Sequence, residues 1–306
     1  MKFLISLIYL FCISSGNHNI TSHERFRRCP FNMKNPIDWV DGIANDFSKA
    51  NLEGSDKEFT HHYERMYIPF LARFKIAEFS MMEIGIRNGA SLKMWPLLFP
   101  NVNHVYGMGV DAEVGDHQKI HVINNQITTY DADQSDKTAL DFVIGDIGKQ
   151  LEFILDDGSH YPVHQIFTFE YLFSNLLAPG GIYIIEDIET SYWDGPNAKV
   201  YNYDIRDGGP GKPINIVERF KQVADVINRK YFGSPEFSVF KGNVDHMISS
   251  ISFSRNCIII QKGDKWWNEE NLQTANYPLG FYLTKDKQDI KKFIEEKSLR
   301  FPGLDP

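Results

Sequence analysis

Two apolar runs, each stopped by carboxylates, constrain this chain more than any other feature. Phe153-Ile154-Leu155 leads into Asp156-Asp157-Gly158-Ser159-His160, and Tyr183-Ile184-Ile185 leads into Glu186-Asp187. A helix-length segment and the turn Pro179-Gly180-Gly181 lie between them. Short apolar runs on either side of a helical segment read as a βαβ unit, whose two strands are parallel. Parallel neighbours lie about 4.8 Å apart, so the carboxyl ends of these strands bring Asp157, Glu186 and Asp187 into one small space. Three carboxylates that close repel one another unless a cation or protons compensate. His160 falls on the same rim. The pattern reads as a metal site with a base beside it. The plainer readings are an exposed Asp-Asp-Gly turn and a histidine that caps a helix or packs; His164, one turn on, reads as structural.

The same alternation runs through the middle of the chain. Phe79 to Ile84, Val105 to Asp111, Ile127 to Asp131, Leu151 to Leu155 and Ile182 to Ile185 read as strands. Ser91 to Phe99, about 135–149 and Tyr161 to Leu177 read as the helices between them. A long amphipathic helix is expected over about 214–231, from the spacing of Ile214, Val217, Phe220, Val223, Ala224 and Ile227. Ile248 to Ser254 and Cys257 to Gln261, separated by Arg255-Asn256, read as a tight hairpin. Five alternating units predict an α/β fold with a doubly wound, mostly parallel sheet. Adding the C-terminal antiparallel hairpin makes seven strands, the ending expected of a class I methyltransferase fold rather than of a Rossmann dehydrogenase.

The N-terminus is set apart by composition. Lys2, the apolar stretch Phe3 to Ile13 and Ser14-Ser15-Gly16 have the layout of a secretory signal peptide, too short to span a bilayer comfortably. A buried first element of a cytosolic domain is the competing reading. The expected organisation is a signal peptide over 1–16, a leader and helical cap over 17–76, the core over 77–263 and a tail over 264–306 packing on that core. The compartment is then the secretory pathway, or the cytoplasm or an organelle if the signal reading fails. Asn19-Ile20-Thr21 is a glycosylation sequon, and Cys29 and Cys257 either pair or stand as unrelated thiols. The formal net charge is −8 and no long Lys/Arg run occurs, which argues against nucleic acid or an anionic membrane as the main partner. No stable membrane span is expected, and a homo-oligomer is left open.

The first strand opens into Glu83-Ile84-Gly85-Ile86-Arg87-Asn88-Gly89-Ala90-Ser91. Gly85 permits close backbone approach, Gly89 falls where the helix begins, and Ser91 is a candidate cap. Glycines in such a turn also occur only to make the turn. Asp111 ends the second strand, where a carboxylate can accept from ribose hydroxyls, and Asp133-Gln134 follows the third, where an adenine edge can be read. Each could equally be a polar cap or turn. Together they place a nucleoside-type ligand on the carboxyl rim of the sheet.

Across roughly residues 56–195 these motifs resemble the metal-dependent, S-adenosylmethionine-dependent sugar O-methyltransferases of macrolide antibiotic pathways. The residues that carry the resemblance are Glu83-Ile84-Gly85, Gly89 and Ser91, Trp95, Phe99-Pro100-Asn101, Tyr106-Gly107, Asp133-Gln134-Ser135-Asp136, Asp156 to His160, and Ile185-Glu186-Asp187 through Thr190-Ser191-Tyr192-Trp193. Asp56-Lys57 and His61-His62-Tyr63 also look family-like. Gly107-Met108-Gly109-Val110-Asp111 departs from the usual Gly-Ile-Asp ending, which bears on the ribose role of Asp111.

The resemblance implies S-adenosylmethionine on Glu83, Gly85, Ile86, Gly89, Ser91, Asp111, Asp133, Gln134 and Asp156. It implies Mg2+ on Asp157, Glu186 and Asp187, and His160 as general base toward a hydroxyl of a sugar or other polyhydroxy acceptor. Asp156, alternating with Asp157, is expected on the cofactor side. Tyr192 and Trp193 are as readily core as substrate wall. Two rival functions are an oxidative enzyme of the cephalosporin-hydroxylase type, which would need a second well-placed histidine, and a non-catalytic secreted binding protein on the same fold.

Overall fold

The computed structural model describes residues 36–59, 61–110, 119–229, 234, 236–264 and 267. The signal segment, the sequon, Cys29, Asp111 and the tail beyond 267 lie outside the described residues. Three helices come first: α1 (Pro36–Ala50), α2 (Asp56–Phe59) and α3 (Glu64–Leu71), the last followed by a 3-10 turn over Ala72–Lys75. The core then runs β1 (Phe79–Ile84), α4 (Ala90–Leu98), β2 (Val102–Gly109), β3 (Lys119–Val122), β4 (Ile127–Asp131) and α5 (Lys137–Ile147). It continues with β5 (Leu151–Asp156), α6 (Pro162–Asn175) and β6 (Leu177–Glu186). A small hairpin of β7 (Lys199–Val200) and β8 (Tyr203–Asp204) precedes α7 (Ile216–Lys221), α8 (Val223–Ile227), β9 (Ile248–Ser254) and β10 (Cys257–Lys262).

The main sheet has eight strands in the order β3-β4-β2-β1-β5-β6-β10-β9. Seven are those expected. The eighth, β3, pairs antiparallel with β4 at the edge; it is only four residues long, and its apolar Ile120 and Val122 are exposed, so it had no buried run to mark it. Strands β4, β2, β1, β5 and β6 are parallel, and β10 and β9 close the other side antiparallel. The long helix expected over 214–231 is two short ones. Its chain tightens at Gln222, whose N–H bonds Arg219 O, an i→i+3 contact of 3-10 type.

The sheet separates two apolar layers. Phe47 of α1, Tyr67 and Leu71 of α3, and Leu92, Trp95 and Leu98 of α4 cover one face, meeting Met81, Phe153, Leu155, Ile184 and Ile259. Helices α5, α6 and α7 cover the other, meeting Met82, Ile84, Ile154, Tyr183, Ile185 and Ile258. Because strand side chains alternate faces, adjacent residues at a strand end are committed to opposite layers, and this decides the fate of the acidic ends.

Candidate metal and cofactor site

Register sets the site. Asp156 pairs with Ile84 and with Ile185, so Asp157 emerges level with Glu186. Glu83 pairs with Leu155 one step further in. Glu83, Asp157 and Glu186 therefore share the face covered by the N-terminal helices. Into that face α2 drives the side chain of Lys57, which is 1% exposed. Its ammonium lies 2.5 Å from Asp157 Oδ2, 2.8 Å from Glu186 Oε2 and 3.2 Å from Glu83 Oε1. Burial works against the ammonium, but Asp157, Glu186 and Glu83 outweigh it and hold its pKa well above the ordinary lysine value. Burial also pushes Glu186 up to about 7 and Asp157 up to about 6, against the opposing pull of Lys57.

The atoms that converge for a cation are then Asp157, His160 and Asp187, with one donor atom of each within 4.8 Å of the others. His160 Nε2 lies 4.0 Å from Asp157 Oδ1 and 3.6 Å from Asp187 Oδ2. Glu186 was expected in this set. Its Oε2 is drawn to Lys57 instead, and its Oε1 is buried with no hydrogen-bond partner among the described residues.

Asp187 is steered from the other side. Tyr63 Oη donates to its Oδ1 at 2.5 Å, and Asn256 Nδ2 donates to the same oxygen at 2.9 Å. Burial, with Glu186 and Asp187 beside it, raises the Tyr63 phenol far above its ordinary pKa, so it is a firm donor. His160 (φ 53°), Asp187 (φ 52°) and Asn256 (φ 59°) all adopt left-handed backbone. Non-glycine residues there cost of order 1–3 kcal/mol each and persist where the surroundings over-determine them. Thr190 Oγ1, bonded to His160 O at 2.6 Å, is one such restraint. Tyr201, at the tip of the β7–β8 hairpin, stacks over His160 with centroids 6.0 Å apart.

The nucleoside rim departs from expectation in several places. Gly85 (φ 86°) is required by packing: a Cβ there would come within 1.8 Å of Asp157 O. Ile86 lies against Gly107 and Gly109, whose added Cβ atoms would meet its side chain at 2.8 and 3.1 Å. Gly89 (φ 75°) is left-handed with open space before it. Ser91 is buried and makes no cap; Asn88 Oδ1 accepts from Ala90 N instead. Glu83 is fully buried and bound by Trp95 Nε1 at 2.8 Å, so it supports the turn from beneath rather than reaching the rim.

Asp156 does alternate away from Asp157, and its carboxylate ends in a closed polar knot. It is wholly buried, and Gln134 Nε2, Gly158 N and Tyr183 Oη donate to it. Gln134 spends its side-chain amide there, donating also to Thr168 Oγ1 and accepting from Ser159 N at 2.6 Å. Asp133 stays half-exposed, its Oδ1 accepting from Ser135. His164 bonds Ser159 Oγ and packs edge-on against Tyr161 and Tyr203. Tyr192 and Trp193 are exposed, at 43% and 39%. A cavity of about 720 Å3 lies beside Asp187, lined among others by His61, Glu189, Tyr192, Phe253 and Arg255.

No family model matches the chain. An 8-demethyl-8-alpha-L-rhamnosyl tetracenomycin-C 2'-O-methyltransferase of Streptomyces olivaceus is 35% identical over 161 residues, 50% of this chain and 39% of that protein. The demethylmacrocin O-methyltransferase of Streptomyces fradiae is 30% identical over 219 residues, 69% of this chain and 50% of that one. The chain spans half or less of the length of these curated relatives. A structure of MycE methyltransferase from the mycinamycin biosynthetic pathway, in complex with Mg and SAH, superposes with a TM-score of 0.58 at 24% identity, covering 77% of this chain and 59% of that one. The chain has the class I methyltransferase fold, and its sequence is similar to these O-methyltransferases.

Within this methyltransferase fold, the residues not foreseen as part of the site are Lys57, Tyr63, Asn256 and Tyr201. The first two stood in segments marked only by resemblance, and Asn256 stood out only as a hairpin turn. Nothing local in sequence joins them to Asp157 or Asp187, which lie 100 and 124 positions away from Lys57 and Tyr63.

Proposed function

We propose that the chain is an S-adenosylmethionine-dependent, Mg2+-dependent O-methyltransferase acting on a hydroxyl of a sugar or similar polyhydroxy acceptor. The observation that carries this reading is the convergence of Asp157 Oδ1, Asp187 Oδ2 and His160 Nε2 on the carboxyl rim of a class I sheet. The donor set fits a hard divalent ion: carboxylate oxygens with a further orphaned carboxylate oxygen, Glu186 Oε1, close by. Asp157 and Asp187 would hold the metal. The open space at Gly89, with Ile86 and Asp133 on the same rim, fits a nucleoside ligand.

When bound, S-adenosylmethionine supplies a methyl group on a sulfonium leaving group, and Mg2+ supplies charge that favours an ionised hydroxyl. His160 Nε2 takes the acceptor's proton. The gaps of 3.6 and 4.0 Å to the aspartates are longer than hydrogen bonds, so Nε2 is not tied to either carboxylate as a donor. Once protonated, the ring faces both carboxylates, which stabilise the imidazolium. Tyr201 covers the ring and limits water. Much of the acceleration comes from holding the hydroxyl in line with the methyl group. Of the two imidazoles near Asp187 among the described residues, only His160 faces the free Oδ2; His61 Nδ1 lies 3.8 Å from Oδ1, the oxygen that Tyr63 and Asn256 already hold, which disfavours the two-histidine site of the oxidative alternative. Calorimetry with S-adenosylhomocysteine, with and without Mg2+, tests the reading: binding is expected, and none in either condition sinks it.

A further inference from the structure

We infer that Lys57, Tyr63 and Asn256 are positioning residues that make the site select a small cation such as Mg2+ over Ca2+, by leaving each aspartate one free oxygen. The inference rests on the metal reading above and deepens it. Asp157 gives Oδ2 to Lys57 at 2.5 Å and keeps Oδ1 for the side facing His160. Asp187 gives Oδ1 to Tyr63 and Asn256 and keeps Oδ2 for that same side. The two carboxylates are thus split alike by different donors. Mg2+ is content with single oxygens and retained waters in an octahedron, whereas Ca2+ takes six to eight oxygens and commonly both of a carboxylate.

The donors are held too firmly to yield. Lys57 and Tyr63 are each 1% exposed. The Tyr63 ring is stacked between His61 and Tyr67, with centroids at 5.1 and 5.8 Å. Its neighbour Tyr67 is equally buried, but the Tyr67 hydroxyl meets no partner among the described residues, which makes it an internal control.

The test is titration calorimetry of the full chain with MgCl2 and with CaCl2, reading the ratio of the two dissociation constants. Tyr63→Phe frees one donor from Asp187 Oδ1, and the double variant with Asn256→Gly frees both while keeping the left-handed turn. The Ca2+-to-Mg2+ ratio of dissociation constants is expected to fall in the double variant by about tenfold or more, the scale on which residues behind metal ligands act. Tyr67→Phe is expected to keep the wild-type ratio. Lys57→Met should shift the ratio the same way and tighten both ions; if it fails to fold, the tyrosine series still decides. Equal weakening of both ions, with the ratio unchanged, would mean a merely structural role and overturn the inference. A wild-type chain that binds neither ion refutes the metal reading itself, which is a separate result.

Discussion

Asp156 carries its carboxylate into the interior, where burial raises its pKa from 3.8 to about 6 despite the donors from Gln134 and Gly158. A carboxyl group whose folded pKa is raised contributes stability below its unfolded pKa and loses it as pH climbs through the folded one. The whole effect is about 3 kcal/mol, and roughly 1 kcal/mol of it falls between pH 5 and 7. Melting curves of wild type and Asp156→Asn over that range check it: the variant should lack that increment of pH dependence. His160 poses a different question, because Nε2 is near enough to serve as ligand or base but cannot be both at once. As base, His160→Ala keeps S-adenosylhomocysteine and Mg2+ affinity while turnover falls about 10²–10⁴-fold. Loss of Mg2+ binding in that variant would make it a ligand instead.

At the scale of elements, the β1–α4 and β5–α6 turns are packed on one another. The two glycines of the first turn should therefore behave differently. Gly85→Ala combines a φ of 86° with a contact of 1.8 Å to Asp157 O, so the β5 turn must move and Asp157 with it. We expect a loss above about 3 kcal/mol in thermal or denaturant unfolding, from strain and displacement together. Gly89→Ala meets nothing within 4 Å and should cost only the left-handed penalty, about 1–2 kcal/mol. Equal losses would contradict the packing account. These same turns show what sequence could reveal. Apolar runs closed by acids marked β5 and β6, and alternation put Asp156 and Asp157 on opposite faces. Where each carboxylate went was not legible, because the partners that claim them, Gln134 and Lys57, are brought in by tertiary packing. Ser91 looked like a cap by residue type, yet Asn88 is the one whose side chain reaches Ala90 N.

Across the whole molecule, the site joins the N-terminal helices to the sheet through one ammonium set against Glu83, Asp157, Glu186 and, beyond them, Asp187. One positive charge cannot offset four carboxylates, and the proposed divalent ion, binding only the folded chain, would make up the difference. At a hundredfold excess over its dissociation constant, such an ion stabilises by about 2.7 kcal/mol, which for a chain of this size is roughly 4 °C in Tm. The gain should depend on pH. Asp157 and Glu186 have pKa values raised to about 6 and about 7, so in the metal-free chain their contribution to stability declines as pH rises through those values. Metal ligands must be ionised to bind, so the shift produced by Mg2+ should grow from pH 5.5 to 7.5 as the metal-free protein weakens. Scanning calorimetry in EDTA and in excess Mg2+ at the two pH values measures both trends. Asp157→Ala should lose the Mg2+ shift. A shift of the same size in that variant would place the ion elsewhere and break the link between the N-terminal helices, the acidic strand ends and the chemistry proposed for them.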